Sequence, residues 1–168
     1  LGSQDVFWEE TGAYTGEIGP RMLKSAGVSH VIIGHSERRE LFGETNEAVQ
    51  KKTAAALKAG LSVIVCVGER TREGDASVYI SFIKEEVASA LRDVPKSALS
   101  RVAIAYEPIW AVGSDEPDTP HSTLEMAIYI RKTVVDVYGR SLAQQLPVLY
   151  GGSVSASNAR AFLRDGGV

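Results

Sequence analysis

The residues with the most chemical content are Glu107 and His35. Glu107 closes the apolar run Val102-Ala103-Ile104-Ala105-Tyr106, a pattern that predicts a strand buried on both faces. Pro108 follows, and proline neither continues a helix nor donates to a ladder. A carboxyl group at the end of a buried parallel strand sits where burial raises its pKa toward that of a working base. Ile109, Trp110 and Val112 come next, in a loop with no evident core to join, a composition suited to a lid that excludes water. A salt-bridged glutamate under an ordinary surface loop fits the same residues. His35, in Gly34-His35-Ser36, stands just past a second apolar run, Val28 to Ile33. Near the start of a helical turn an imidazolium is disfavoured, so the ring is expected to be a neutral hydrogen-bond donor. A histidine satisfied within the structure is the commoner outcome for such a residue taken alone, and His30 and His121, without comparable surroundings, are read that way.

Gly151-Gly152-Ser153 offers unobstructed backbone N–H groups and a hydroxyl ahead of a predicted helix, which makes an anion cradle. A tight strand-to-helix turn has the same composition. The sequence has no metal-ligand spacing, Walker pattern, GxGxxG or nucleophile elbow, and neither metal nor cofactor is expected. Base, neutral donor, apolar lid and cradle together point to proton transfer beside the carbonyl of a small phosphorylated substrate.

These groups need elements to place them. Pro20 to Ala26, stopped by Gly27, reads as a helix. Another spans Glu44 to Ala59, with Ala48, Ala55, Leu57 and Ala59 as packing candidates. Leu61 to Val67 is a strand, and Val78 to Leu91 is amphipathic through Ile80, Ile83, Val87 and Leu91. Thr119-Pro120 caps a helix to Tyr138, Pro147 to Tyr150 is a strand, and Ala156 to Arg164 a last helix. Leu1 to Asp5 reads as the tail of a strand. Apolar strands alternating with helices predict a parallel α/β sheet with right-handed crossovers. Chemistry spread over several strand ends favours a closed barrel over an open sheet with one switch point.

The chain has 168 residues, 44% of them hydrophobic and 23% charged, with net charge −3. That is material for one core, and it gives no reason to expect nucleic acid or membrane as a partner. One cysteine, Cys66, excludes an intramolecular disulfide, suits a reducing compartment, and is read as buried and inert. No apolar run approaches the ~18 residues of a bilayer span and the N-terminus has no signal-peptide pattern, so a cytoplasmic protein is expected.

Gly12-Ala13-Tyr14-Thr15-Gly16-Glu17, Ile33-Gly34-His35-Ser36-Glu37-Arg38-Arg39, Ala105-Tyr106-Glu107-Pro108-Ile109-Trp110-Ala111-Val112-Gly113 and Tyr150-Gly151-Gly152-Ser153-Val154 together resemble the triosephosphate isomerase family, in its order and spacing over essentially the whole chain. The resemblance implies a (β/α)8 barrel, of which residues 1–168 form a single partial domain of about five-eighths. It implies that Glu107 moves a proton between adjacent carbons of a triose phosphate, while a neutral His35 polarises the carbonyl; the family is itself a standard case of pKa tuning. Ser36 and Glu37 become supporting residues, Glu37 within an ion network, and Gly113 and Ser153 phosphate ligands. Tyr14 and Thr15 fall in the loop that inserts into a twofold-related subunit, implying a homodimer. No cofactor is implied.

Two departures qualify the resemblance. A full barrel needs ~250 residues, and the family's opening strand, with its substrate-binding Asn and Lys, and its closing glycine strand have no counterpart here. The expectation is a portion of a longer polypeptide, inactive by itself, with two open strand edges and an exposed apolar interior. The lid continues as Ser114-Asp115-Glu116-Pro117-Asp118-Thr119, which puts three carboxylates near the docking phosphate. An isomerase of another short ketose phosphate, or a catalytically silent phosphate-binding or assembly fragment, therefore remains an alternative to interconversion of dihydroxyacetone phosphate and glyceraldehyde 3-phosphate.

Overall fold

The computed structural model describes residues 1–112 and 117–168. Gly113, expected to bind phosphate, and the lid carboxylates Asp115 and Glu116 lie outside the described residues. Five strands, β1 (Gly2–Ser3), β2 (His30–Ile33), β3 (Ser62–Val67), β4 (Val102–Tyr106) and β5 (Val148–Tyr150), form one sheet in chain order. Each neighbouring pair is parallel. The order never reverses, so the sheet has no switch point and is singly wound, as in a barrel. It is an incomplete (β/α)8 barrel.

The helices are α1 (Pro20–Ser25), α2 (Ser36–Phe42), α3 (Asn46–Lys58), α4 (Ala76–Leu91), α5 (Pro120–Tyr138), α6 (Arg140–Gln145) and α7 (Ala159–Asp165). Local chemistry sets most of their ends. Thr45 Oγ1 caps α3 by accepting from Ala48 N, and Thr119 Oγ1 caps α5 by accepting from Ser122 N, with Pro120 in the first position. Gly139, at φ +86°, ends α5 and leads straight into α6, which the sequence does not announce. The last helix starts at Ala159, three residues later than its apolar pattern suggests.

The strands pack asymmetrically. Ile33, Val65, Ile104 and Val148 are in register and fully covered. On the opposite face Ile32 and Ile64 are half-buried, and one layer nearer the carboxyl rim Cys66 and Ala105 are buried while Leu149 is exposed. The helix side is thus buried throughout, the inner side only in part. In α3 the inward stripe is Val49, Lys52, Thr53, Ala56 and Leu57; of the four expected packing residues only Leu57 belongs to it, and Ala48, Ala55 and Ala59 are half-buried. The misassignment has a physical source. Alanines mark no face of a helix, and the true face carries a lysine. In α4, Ile83, Val87 and Leu91 are buried as expected, together with Glu86.

Two buried ion networks brace the carboxyl rim of the sheet. Lys52 Nζ donates to both Asp5 oxygens at 2.7 and 2.9 Å and to Glu44 Oε2 at 2.9 Å. Arg38 Nε bridges the same two acids at 2.9 and 2.8 Å, and Gly34 N donates to Glu44 Oε1 at 3.1 Å. Burial disfavours the charge on Glu44, but Lys52 and Arg38 outweigh it and hold the carboxyl below its ordinary range. In the second network Arg39 donates to Gly34 O at 2.7 Å and Asn46 Oδ1 at 2.8 Å, and its Nη1 lies 3.3 Å from Glu86 Oε1. Gly68 N donates to Glu86 Oε2 at 2.9 Å. Here burial wins over Arg39, and the Glu86 carboxyl is pushed up to about 7.

Breaking the first network by Lys52→Met leaves Asp5 and Glu44 with Arg38 but without the buried ammonium between them, and denaturant titration is expected to show a loss of about 2–4 kcal/mol; a loss under about 1 kcal/mol contradicts the account. For Glu86 the folded chain keeps a proton up to about 7, whereas an unfolded glutamate releases it near 4.5. Between those values the folded state binds more protons, so stability falls as pH rises and levels off above the upper one. Glu86→Gln should remove that slope, a difference on the order of 3 kcal/mol across the window. Parallel pH profiles for the two proteins would refute the assignment.

Candidate active site

Three strand ends converge on Glu107. Its N–H donates to Val67 O at 2.8 Å, extending the β3–β4 ladder by one residue. Gly68 and Gly151 lie against it on either side. A Cβ on Gly68 would collide with the Glu107 carbonyl, and one on Gly151 would come within 2.8 Å of Glu107 Cγ. The Glu107 side chain is therefore seated where only glycine permits the approach.

The carboxylate is 5% exposed, and both of its oxygens have protein partners. Oε2 accepts from Ser36 N, the first residue of α2, at 3.1 Å. Oε1 lies 3.3 Å from His35 Nε2. Gly34, at φ +78°, turns the chain out of β2 so that His35 occupies the N-cap of α2. There His35 Nδ1 accepts from Glu37 N at 3.3 Å. A backbone N–H only donates, so Nδ1 carries the lone pair and the proton of the neutral ring is on Nε2, facing Glu107. The two groups singled out from the sequence, just past the ends of β2 and β4, are brought within 3.3 Å of each other. Cys66 is buried beside them; burial first, then the Glu107 charge, pushes its thiol up and keeps it protonated.

The supporting residues differ from expectation in detail. Ser36 is buried, but what reaches Glu107 is its backbone N–H. Glu37 is exposed and joins no ion pair among the described residues; its contribution is again a backbone N–H, and the ion network belongs to Glu44. Ser153 Oγ donates to Ala111 O at 3.4 Å, tying the β5 turn to the turn after Glu107. That β5 turn is not capped by a helix, because α7 begins at Ala159. Instead Asn158 Nδ2 donates to Ser153 O at 3.2 Å, and Asn158 Oδ1 accepts from Ser155 N at 2.7 Å. Tyr14 and Thr15 lie in the exposed loop between β1 and α1, where the Tyr14 ring packs 4.7 Å from that of Phe7.

After Glu107 the chain forms a 3₁₀ turn, Ile109–Ala111, with Ala111 buried and Trp110 and Val112 exposed. Ile109 N donates to Glu69 O at 3.1 Å and the Trp110 indole to Glu69 Oε1 at 3.0 Å. Glu69 was not anticipated, although it stands at the end of β3 just as His35 and Glu107 stand at the ends of β2 and β4. Asp118, expected near a docking phosphate, is 4% exposed and turned into the protein. Its Oδ1 accepts from Thr119 N at 2.8 Å and its Oδ2 from Thr123 Oγ1 at 3.1 Å. Asp118 thus braces the residue that caps α5, rather than facing solvent. Among the described residues no group of three or more His, Cys, Asp or Glu could hold a metal ion, and no helix is long and apolar enough to cross a membrane.

Comparison with known proteins agrees with this geometry. The sequence profile of the family described as Triosephosphate isomerase matches residues 1–168. The chain is 43% identical over 163 residues to a triosephosphate isomerase of Trichlorobacter lovleyi, covering 97% of this chain and 65% of that protein. It is 45% identical to one of Pelobacter propionicus with the same coverage, and 48% identical over 158 residues to one of Thermoanaerobacter sp. (strain X514), covering 94% of this chain and 64% of that one. The chain thus spans about 65% of the length of the curated relatives it matches. With the family profile matching its whole length and the parallel sheet in place, the chain belongs to the triosephosphate isomerase family.

Proposed function

We propose that residues 1–168 form a single partial barrel domain carrying the proton-transfer half of a triosephosphate isomerase, which interconverts dihydroxyacetone phosphate and D-glyceraldehyde 3-phosphate. The observation that supports this most is the 3.3 Å approach of His35 Nε2 to Glu107 Oε1. Glu107 removes a proton from the carbon beside the substrate carbonyl, and the C–H electron pair moves into an enediolate. The Nε2–H of His35 donates to the oxygen on which charge develops. Glu107 then returns the proton to the neighbouring carbon, while the hydroxyl proton of the first carbon's oxygen passes, by way of the His35 ring, to the former carbonyl oxygen; hydroxyl and carbonyl exchange places, and the reaction balances without cofactor or net change in protonation.

In the structure both Glu107 oxygens are occupied, by Ser36 N and His35. Substrate must displace at least one of them before the carboxylate reaches a carbon. Gly113 N–H and Ser153 are assigned to the phosphate in this reading, with Ser36 and Glu37 as supports through their backbone N–H groups. Because Asp118 turns toward Thr123, only two of the three carboxylates that motivated a different ketose phosphate remain to be considered. The partly open inner face, with Ile32 and Ile64 half-buried and Leu149 exposed, supports the further proposal that residues 1–168 alone do not turn over and require completing segments. The whole protein is proposed to be cytoplasmic and a homodimer through the loop carrying Tyr14 and Thr15.

In the protein encoded by the complete reading frame, Glu107→Gln should lower kcat by about 10²–10⁴-fold, and His35→Gln by about 10²–10³-fold, each with little change in KM. Either variant retaining more than about a third of wild-type kcat on triose phosphates would remove that residue from the mechanism.

A further inference from the structure

Behind the carboxyl rim, on the helix side of the sheet, one guanidinium joins residues from both sides of the 113–116 segment. Arg72 Nε donates to Glu69 Oε1 at 2.7 Å. The same oxygen accepts from Tyr106 Oη at 2.8 Å and from the Trp110 indole at 3.0 Å, while the buried Oε2 has no hydrogen-bond partner among the described residues. Arg72 Nη2 donates to Tyr106 Oη at 2.7 Å, and Nη1 donates to Ser122 Oγ on α5. Asp118 Oδ2 is 3.9 Å away. The guanidinium also stacks between two rings, 5.4 Å from Trp110 and 5.5 Å from Tyr79. Tyr106 immediately precedes the base, Trp110 follows it by three residues, and Asp118 and Ser122 lie beyond 113–116. Each is held to the same cation.

We propose that Arg72 is a positioning residue for the reaction, tying Tyr106 and the Trp110 turn, which flank Glu107, to Asp118 and Ser122 at the start of α5 and thereby fixing the backbone that carries Glu107. The inference rests on the isomerase reading for its catalytic consequence and on geometry for the anchoring. A planar five-donor group is needed, because Glu69, Tyr106, Ser122 and two aromatic faces are met from different sides; an ammonium is a point charge and meets one or two. Without the cation, Glu69 and Asp118 would lose the charge that both lie beside while staying buried.

The test uses the complete protein in a Trp8→Phe background, so that Trp110 is the only indole among residues 1–168. In Arg72→Gln, acrylamide quenching of Trp110 should rise by at least about twofold, and kcat/KM should fall by on the order of 10²-fold, the effect of misplacing a distant positioning group. Arg72→Lys should not restore either. Asp118→Asn keeps the Thr119 cap acceptor but weakens the far side of the anchor, and it should also increase Trp110 quenching. No hydrogen bond joins Asp118 to Trp110 among the described residues, so a purely local role for Arg72 would leave that signal unmoved. Unchanged quenching in Arg72→Gln or in Asp118→Asn overturns the proposal. So does increased quenching with kcat/KM within about twofold of the parent. If the parent itself fails to turn over triose phosphates, the isomerase reading falls, and the two quenching measurements alone decide the anchoring.

Discussion

The Glu107 carboxylate is buried, and burying an ionisable acid is costly unless its oxygens are hydrogen-bonded. Much of the rim is organised by how that requirement is met. One oxygen is satisfied by the first N–H of α2 and the other faces the imidazole at the cap of the same helix. Both donors depend on Gly34 turning the chain sharply at the end of β2. The backbone of Glu107 can lie close to two neighbouring strand ends only because Gly68 and Gly151 carry no side chain. The chemistry and the backbone constraint are therefore one problem with one solution.

Behind this rim lie three sets of buried charges that a simple core would lack. Lys52 with Asp5 and Glu44 ties the start of the chain to α3, and Arg39 with Glu86 ties the end of β2 to the turn after β3. Arg72 with Glu69 reaches from that turn to the start of α5. Each bridges segments that follow different strands. Replacing such networks by apolar side chains can match their stability, but apolar contacts would not fix the directions of the Gly34 and Gly68 backbone as these hydrogen bonds do. Precise placement, more than stability, is what they contribute here.

The parts legible in the sequence were those governed by local rules. The Thr119-Pro120 cap, the glycine stops and the apolar runs of β2 to β4 all appear where patterning places them, and the proximity of His35 and Glu107 follows from each standing just past a buried strand. The inward face of α3 was missed because its alanines carry no periodic signal and its central inward residue is a lysine. Lys52, Glu86, Glu69 and Asp118 read as surface charges in one dimension; only the fold shows that each meets a partner from another segment. The same is true of the inner sheet face. Ile32 and Ile64 are as apolar as Ile33 and Val65, and the direction in which a strand faces is set by register and sheet curvature.

The central claim is that Glu107 is paired with a neutral imidazole whose proton is on Nε2. The most direct measurement is the ¹⁵N spectrum of ring-labelled histidine at neutral pH, with His35 assigned by its disappearance in His35→Gln. The account predicts an Nδ1 resonance typical of an unprotonated acceptor and an Nε2 resonance typical of a protonated nitrogen. A ring protonated on Nδ1 would contradict it, since such a ring could not accept from Glu37 N while presenting a proton to Glu107.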